Sequence, residues 1–168
     1  MGETDRRQEE PDMDVTDRAI IEALRSNARA SWVELGRAVG MSGPSVTERV
    51  QRLEQAGVIT GYHAAVKPSA IGLSVAALVG VHLTDTSDQD AVTVALSKLE
   101  EVEDCWFVAG DEAFLLKVRV ADVVSLERTL SRLRRIRGVA RTRTTVVLST
   151  KWENRISPPG DPEGSDRP

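Results

Sequence analysis

Apolar positions recur at helical intervals through the first third of the chain and then change to runs with strand character. In "DVTDRAIIEALRSN" the residues Ile20, Ala23, Leu24 and Asn27 share one face of a helix. Thr16 is the expected N-cap, with Asp17 complementing the helix dipole. "SWVELGRAVG" reads as a second helix. Ser31 and Glu34 form a capping box, Leu35, Ala38 and Val39 face inward, and Gly40 suits a left-handed C-terminal turn. A third helix begins at "MSGPSVTERV", capped by Ser42, with Pro44 in a first turn where its missing N–H costs nothing. Val46, Val50 and Leu53 make its inner stripe, and Gly57 ends it. The following "VITGYHAAV" has the composition of a strand.

The pattern changes at "VKPSAIGLS", where Pro68 and Gly72 mark a junction. "SVAALVGVHL" is a nearly continuous apolar run, as in a buried strand. "DQDAVTVALSKLEEV" repeats at Val92, Ala95, Leu96 and Leu99 with helical spacing. "VEDCWFVAG" and "AFLLKVRV" are strands flanking a short loop. "VVSLERTLSRLRRI" is a helix with Val124, Leu126, Leu130 and Leu133 inward, and "GVARTRTTVVLSTKW" closes as a strand. Strand, helix, strand, strand, helix, strand is the order of a ferredoxin-like βαββαβ sandwich, so the fold class is α+β. A sheet covered by helices on one face only is expected to acquire a homodimer partner on the other.

Composition narrows the classes. The chain has 168 residues, 40% of them hydrophobic, and a net charge of -4, so any nucleic-acid contact must come from a local face. One cysteine, Cys105, excludes an internal disulfide, and its apolar surroundings suggest a buried thiol in a reducing cytoplasm. No membrane span or signal peptide is expected. Residues 1–12 and 153–168 read as disordered tails, leaving 13–66 as one domain with a linker strand and 67–152 as a second.

Two short helices joined by a tight Gly-containing turn match a helix-turn-helix, whose second helix enters the DNA major groove. Ser31 before the second helix, and Ser42, Pro44, Ser45, Thr47, Glu48, Arg49 and Arg52 on the third, are the candidate contacts to double-stranded DNA. Ser42 and the helix N-terminus suit a phosphate, and Arg49 and Arg52 would add phosphate contacts from the solvated face. The balance of acidic and basic residues between Asp14 and Val66 equally suits an ordinary helical hairpin. His63, His82 and Cys105 are too scattered for a metal signature. Trp32, Trp106 and Trp152 read as packing residues. The arginines of "RLRRIRGVARTR" suit a solvated helix face with inter-subunit pairing to "EEVED", or contact with DNA wrapped around an oligomer.

Taken together, "VELGRAVGMS", "ERVQRLEQAGVITGY", "CWFVAGDEAFLLKVRV" and "GVARTRT" resemble, in order and spacing, the leucine-responsive regulatory protein/AsnC family of transcription regulators, over about Met13 to Trp152. The resemblance implies a winged helix-turn-helix, a linker strand and a ferredoxin-like sensing domain. It also implies dimers that gather into octamers, and an amino acid or related metabolite as effector, with no other cofactor. By position it implies an effector loop at Gly110, Asp111, Glu112 and Ala113. The residues Phe107, Val123, Thr145, Val146 and Val147 fall where the leucine response is set, and Gly138, Val139, Arg141 and Thr142 come from a neighbouring subunit. Ala113 departs from the acidic residue the family often carries there. Sirohaem decarboxylases, which are enzymes, resemble the same architecture, and His63 or His82 could serve in that role. An effector-free architectural DNA-binding protein is the other alternative.

Overall fold

The computed structural model describes residues 12–153, and the ends of both expected tails lie outside them. The chain divides into two compact units between Ala65 and Val66. The first holds three helices, α1 (Val15–Ser26), α2 (Trp32–Val39) and α3 (Gly43–Gln55). Ile20, Leu24, Leu35, Val46 and Val50 form its core.

Each helix of this unit starts on a side-chain cap. Ser31 and Glu34 exchange their expected capping-box bonds, and Ser42 accepts from the Ser45 N–H. On α1 the N-cap is Asp14 rather than Thr16. Asp14 and Asp17 cap one another reciprocally, because a carboxylate two residues earlier reaches the free N–H groups that Thr16, already inside the helix, cannot. Asn27 caps the C-terminus of α1 and is exposed, so the inner face ends at Leu24. Gly40 closes α2 in the left-handed region, at φ 69°. Ala38 is exposed, and its expected inner place is taken by Gly36, which is buried. A Cβ on Gly36 would stand 2.5 Å from the Met41 carbonyl oxygen, so only glycine lets the turn fold back this closely onto α2.

No strand forms over 58–66. The apolar composition is there, but a strand needs a neighbouring backbone, and within this unit none is presented. The stretch is anchored instead by Val58 and Ile59 N–H groups donating to the Leu53 carbonyl, and by the Tyr62 hydroxyl donating to Glu54 Oε1 at 2.9 Å.

The second unit opens with a 3-10 turn at Pro68–Ile71 and then runs β1 (Val75–Leu83), α4 (Gln89–Leu96), β2 (Val102–Phe107), β3 (Phe114–Val120), α5 (Val123–Arg134) and β4 (Val139–Val147). The sheet is four-stranded in the order β2-β3-β1-β4, and all its pairings are antiparallel, the ferredoxin-like arrangement expected from the element order. Its two helices, α4 and α5, supply core residues on one face. Ala77, Val79 and Val81 of β1 and Phe114, Leu116 and Val118 of β3 meet Val92, Leu96, Leu126 and Leu133 there. Helix α4 stops at Leu96, shorter than its periodicity suggests, yet Leu99 beyond it stays in the core. On α5 the expected inward Val124 is exposed and Thr129 is buried in its stead, its hydroxyl donating to the Ser125 carbonyl. A hydroxyl satisfied within its own helix can be buried without penalty.

The opposite sheet face mixes the exposed apolar Leu78 and Trp106 with a cluster of ion pairs. Lys117 lies 3.0 Å from Glu103 and 2.9 Å from Glu153, and the buried Arg119 joins the same two carboxylates. Glu153, the first residue of the expected C-terminal tail, is thus held by two cations. These contacts depress the Glu153 carboxyl, the Lys117 hydrogen bond first among them. Cys105 is exposed on the edge strand β2 rather than buried. Trp32, Trp106 and Trp152 are all partly exposed, so none is a core packing residue within the single chain. Of the arginine-rich run, Arg132 pairs with Glu101 within the same chain, at 2.5 Å. Among the described residues no helix is long and apolar enough to cross a membrane.

Candidate DNA-binding face and effector pocket

Two surfaces gather the candidate residues, one in each unit. In the first, α3 lines an open groove of about 510 Å³ with Met41, Ser45, Glu48, Arg49, Gln51, Arg52 and Gln55. Ser42 and Ser45 stand at its leading end with hydroxyl oxygens 2.8 Å apart, and Pro44 lies in the same turn. The helix therefore begins with two small hydroxyl side chains, which is what a phosphate or a base edge can approach. Thr47 is less available, since its hydroxyl donates to the Gly43 carbonyl. Ser31 lies at the start of α2 with its hydroxyl and N–H both engaged by Glu34. Gln51 and Gln55 were passed over in reading the sequence; they sit one turn apart on this groove and can pair bidentately with a base.

Arg49 and Arg52 are not free solvated cations. Arg49 Nη1 lies 2.6 Å from Asp14 Oδ2 and 2.9 Å from Asp17 Oδ1, and Arg52 Nη2 lies 2.6 Å from Asp17 Oδ2. Asp17 is only 1% exposed, so its charge needs this company. The Asp14 carboxyl is held below its usual range by the Asp17 N–H and by Arg49, and Arg49 is pushed up in turn by Asp14 and Asp17. Both guanidiniums face the groove while being oriented by α1.

In the second unit a concavity of about 880 Å³ opens under the loop between β2 and β3. Phe107, Gly110, Asp111, Glu112, Ala113 and Arg141 all line it, together with His82 and Leu83. The loop is tied to the sheet through the Ala113 N–H, which donates to the Val81 carbonyl, and the Val108 N–H, which donates to the Ala113 carbonyl. Phe107 stacks edge-on against Phe114, with ring centroids 5.4 Å apart. Glu112 does not project away: it crosses β1 at Gly80, where a Cβ would meet its Cγ at 2.6 Å, and its Oε1 comes 3.9 Å from Arg143. Gly110 has φ 157° and open space where a Cβ would point, so the single chain does not crowd a side chain there.

The remaining sequence candidates fall elsewhere. Thr145, Val146 and Val147 pair with Leu78, Ala77 and Ala76, toward the other end of β1 from the loop. Val123 is 69% exposed just beyond β3, whose last residue Val120 pairs with Val75. The seven residues from Val75 to Val81 span roughly 20 Å at strand rise, so Val123 lies beyond the far end from the loop, while Thr145, opposite Leu78, lies about halfway along. None of Val123, Thr145, Val146 and Val147 lines the concavity under the loop. Thr142 pairs with Val81 near the loop end. Val139 starts β4, and Gly138 just before it packs against Ser87 and Val92 beside a separate pocket.

The similarity to known proteins follows the same division. Residues 13–54 match the AsnC-type helix-turn-helix domain, and residues 76–156 match the Lrp/AsnC ligand binding domain. The HTH-type transcriptional regulator LrpA of Mycobacterium tuberculosis is 40% identical over 143 residues, covering 85% of this chain and 95% of the relative. The leucine-responsive regulatory protein of Escherichia coli is 38% identical over 149 residues, covering 86% and 91%. Among solved structures, a feast or famine regulatory protein from M. tuberculosis complexed with L-methionine superposes with a TM-score of 0.83 at 39% identity, covering 88% of this chain and all of that one. E. coli AsnC superposes at 0.79 with 31% identity, covering 87% and 99%. These relatives are regulators rather than enzymes, which removes the sirohaem decarboxylase alternative. With both domains matched in order and at this identity over most of its length, the chain belongs to the Lrp/AsnC family of transcription regulators.

Proposed function

We propose that this regulator reads double-stranded DNA with α3 and that an amino acid bound under the 110–113 loop modulates its DNA binding or its assembly. The observation that carries the effector half is the convergence of Phe107, the loop and Arg141 on one concavity. Carboxylates at Asp111 and Glu112 and the backbone N–H groups of the loop offer complementary partners to a zwitterion, and the Leu83 and Phe107 side chains offer it an apolar wall. The L-methionine complex of the M. tuberculosis relative supports the same ligand class.

The DNA half rests on the α3 groove, with Ser42, Ser45, Gln51 and the two oriented arginines as contacts. Self-association completes the reading. Val123 and Val146 stand exposed at the far end of the sheet, and a second copy is what would bring that end to a neighbour's loop. The work is done in the cytoplasm, at the nucleoid.

Fluorescence anisotropy on a labelled fragment of the protein's own upstream region tests the DNA half. Wild type should bind with strong salt dependence, and Ser45→Glu, which sets a negative charge at the leading end of α3, should abolish binding without unfolding the protein. Undiminished binding by a folded Ser45→Glu protein would move the DNA contact away from α3.

A further inference from the structure

We infer that the concavity under the 110–113 loop selects an amino acid whose side chain ends in a carboxylate or carboxamide, with His82 and Arg141 as the selecting residues. The inference rests on the effector reading above and names its ligand class.

His82 sits on β1 with 8% of its surface exposed, yet it lines the concavity. Its Nε2 is buried and has no hydrogen-bond partner among the described residues. A buried imidazole nitrogen without a partner is destabilising, and native proteins seldom leave one so. Since His82 lines the concavity, a polar group seated there is the partner assigned to it in this inference.

Arg141 is registered directly across from His82 in the β1–β4 ladder, just before the bulge at Leu83. Residues opposed in this way share a sheet face at close range. Arg141 is exposed and has no carboxylate within ion-pairing distance among the described residues. Arg143, on the same face of β4, has one in Glu112. An imidazole nitrogen and an unpaired guanidinium side by side form a recognition pair for an oxygen acceptor.

The remaining lining assigns the rest of such a ligand. Asp111 and Glu112 suit its α-amine, and backbone N–H groups of the loop suit its α-carboxylate. A leucine or methionine side chain placed at this end would cover the His82 nitrogen with hydrocarbon and bury the Arg141 charge without compensation. That penalty is how a site built for a polar group rejects an apolar one.

Isothermal titration calorimetry of the full-length protein with aspartate, asparagine, glutamate, glutamine, leucine and methionine tests the assignment. Wild type should bind at least one of the four polar ligands about tenfold or more tightly than leucine and methionine, the effect of one charge-assisted hydrogen bond. Arg141→Ala should erase that preference while leaving leucine and methionine unaffected or improved. His82→Phe, which keeps the ring and removes the nitrogens, should do the same. Should His82→Phe fail to fold by circular dichroism, the exposed Arg141 position decides alone. A wild-type preference for leucine or methionine, or an unchanged preference in folded Arg141→Ala, overturns this inference and leaves the effector reading standing. Binding of none of the six overturns both the inference and, for these ligands, the effector reading on which it rests.

Discussion

Asp17 of α1 and Arg52 of α3 meet with Oδ2 and Nη2 2.6 Å apart, and the same buried carboxylate accepts from Arg49 on its other oxygen. One side chain therefore caps α1, through the Asp14 N–H, and fixes both arginines on the groove of α3. The orientation of α3 is set electrostatically as well as by the Val46 and Val50 core.

Removing that carboxylate should cost stability. Asp17→Ala leaves Arg49 and Arg52 without their buried partner and deletes a capping bond, a loss of about 2 kcal/mol. Urea unfolding followed by circular dichroism measures it. Asp17→Asn, which still accepts hydrogen bonds, should lose less. Equal stability of Asp17→Ala and wild type would show the clasp to be energetically idle.

Arg49→Ala should weaken DNA binding, but with a salt slope that changes by less than the roughly one unit expected of a free phosphate-contacting cation, because Arg49 is already shared with Asp14 and Asp17. Anisotropy titrations across a salt series give the slope. A full-unit change would mean that the arginine leaves its carboxylates when DNA arrives.

The single tyrosine reports the stretch after α3. Burial raises the Tyr62 phenol from 10.0 to about 12, helped by the hydrogen bond to Glu54 and the carboxylate's charge. A neutral phenol favoured in the folded state adds stability that is full below the unfolded value and is lost as pH rises through the folded one. The window therefore runs from pH 10.0 to about 12. Ultraviolet absorbance should show a phenolate midpoint near that upper limit, falling in Glu54→Gln but staying above the ordinary value. A wild-type midpoint at the ordinary value would dissolve the contact.

Gly80→Ala should destabilise the second unit by about 1 kcal/mol, since its Cβ meets Glu112 Cγ and displaces that side chain. Adding Glu112→Ala should restore the loss, because the clash partner is gone. Thermal melts of the two single variants and the double variant form the cycle. Additive losses would mean that Glu112 does not lie over β1.

What the sequence could foretell divides along range. Ser31 with Glu34, Ser42, Pro44 and Gly40 act within a few residues of themselves, so their roles were legible from spacing. The Asp17–Arg52 pair spans 35 residues, and no periodicity announces it. Asp14 lost its place to Thr16 in the reading because both are good caps and only the backbone decides between them. The strand expected over 58–66 failed for a different reason: composition reports β-propensity, while a strand also needs a partner. The order of the second unit was legible because alternating runs repeat the sandwich pattern. Gly36 and Thr129 were not, since a glycine or a threonine on an inner face looks like an error in an apolar stripe. For the candidate effector pocket, the loop and Phe107 line one concavity of the single chain, while Val123 and Thr145–Val147, which the family resemblance adds, do not line it. His82 was read as one of several scattered histidines, because its burial beside Arg141 depends on the β1–β4 register.

The central claim is that ligand binding under the 110–113 loop is coupled to DNA binding or assembly. Its most direct test measures affinity for the protein's own upstream DNA, and particle size by light scattering, with and without millimolar amino acids. At least one amino acid should shift affinity by about fivefold or more, or change the oligomer, as a coupling of about 1–3 kcal/mol requires. Identical binding curves and identical particle sizes with every amino acid would contradict it and leave an architectural DNA-binding protein in its place.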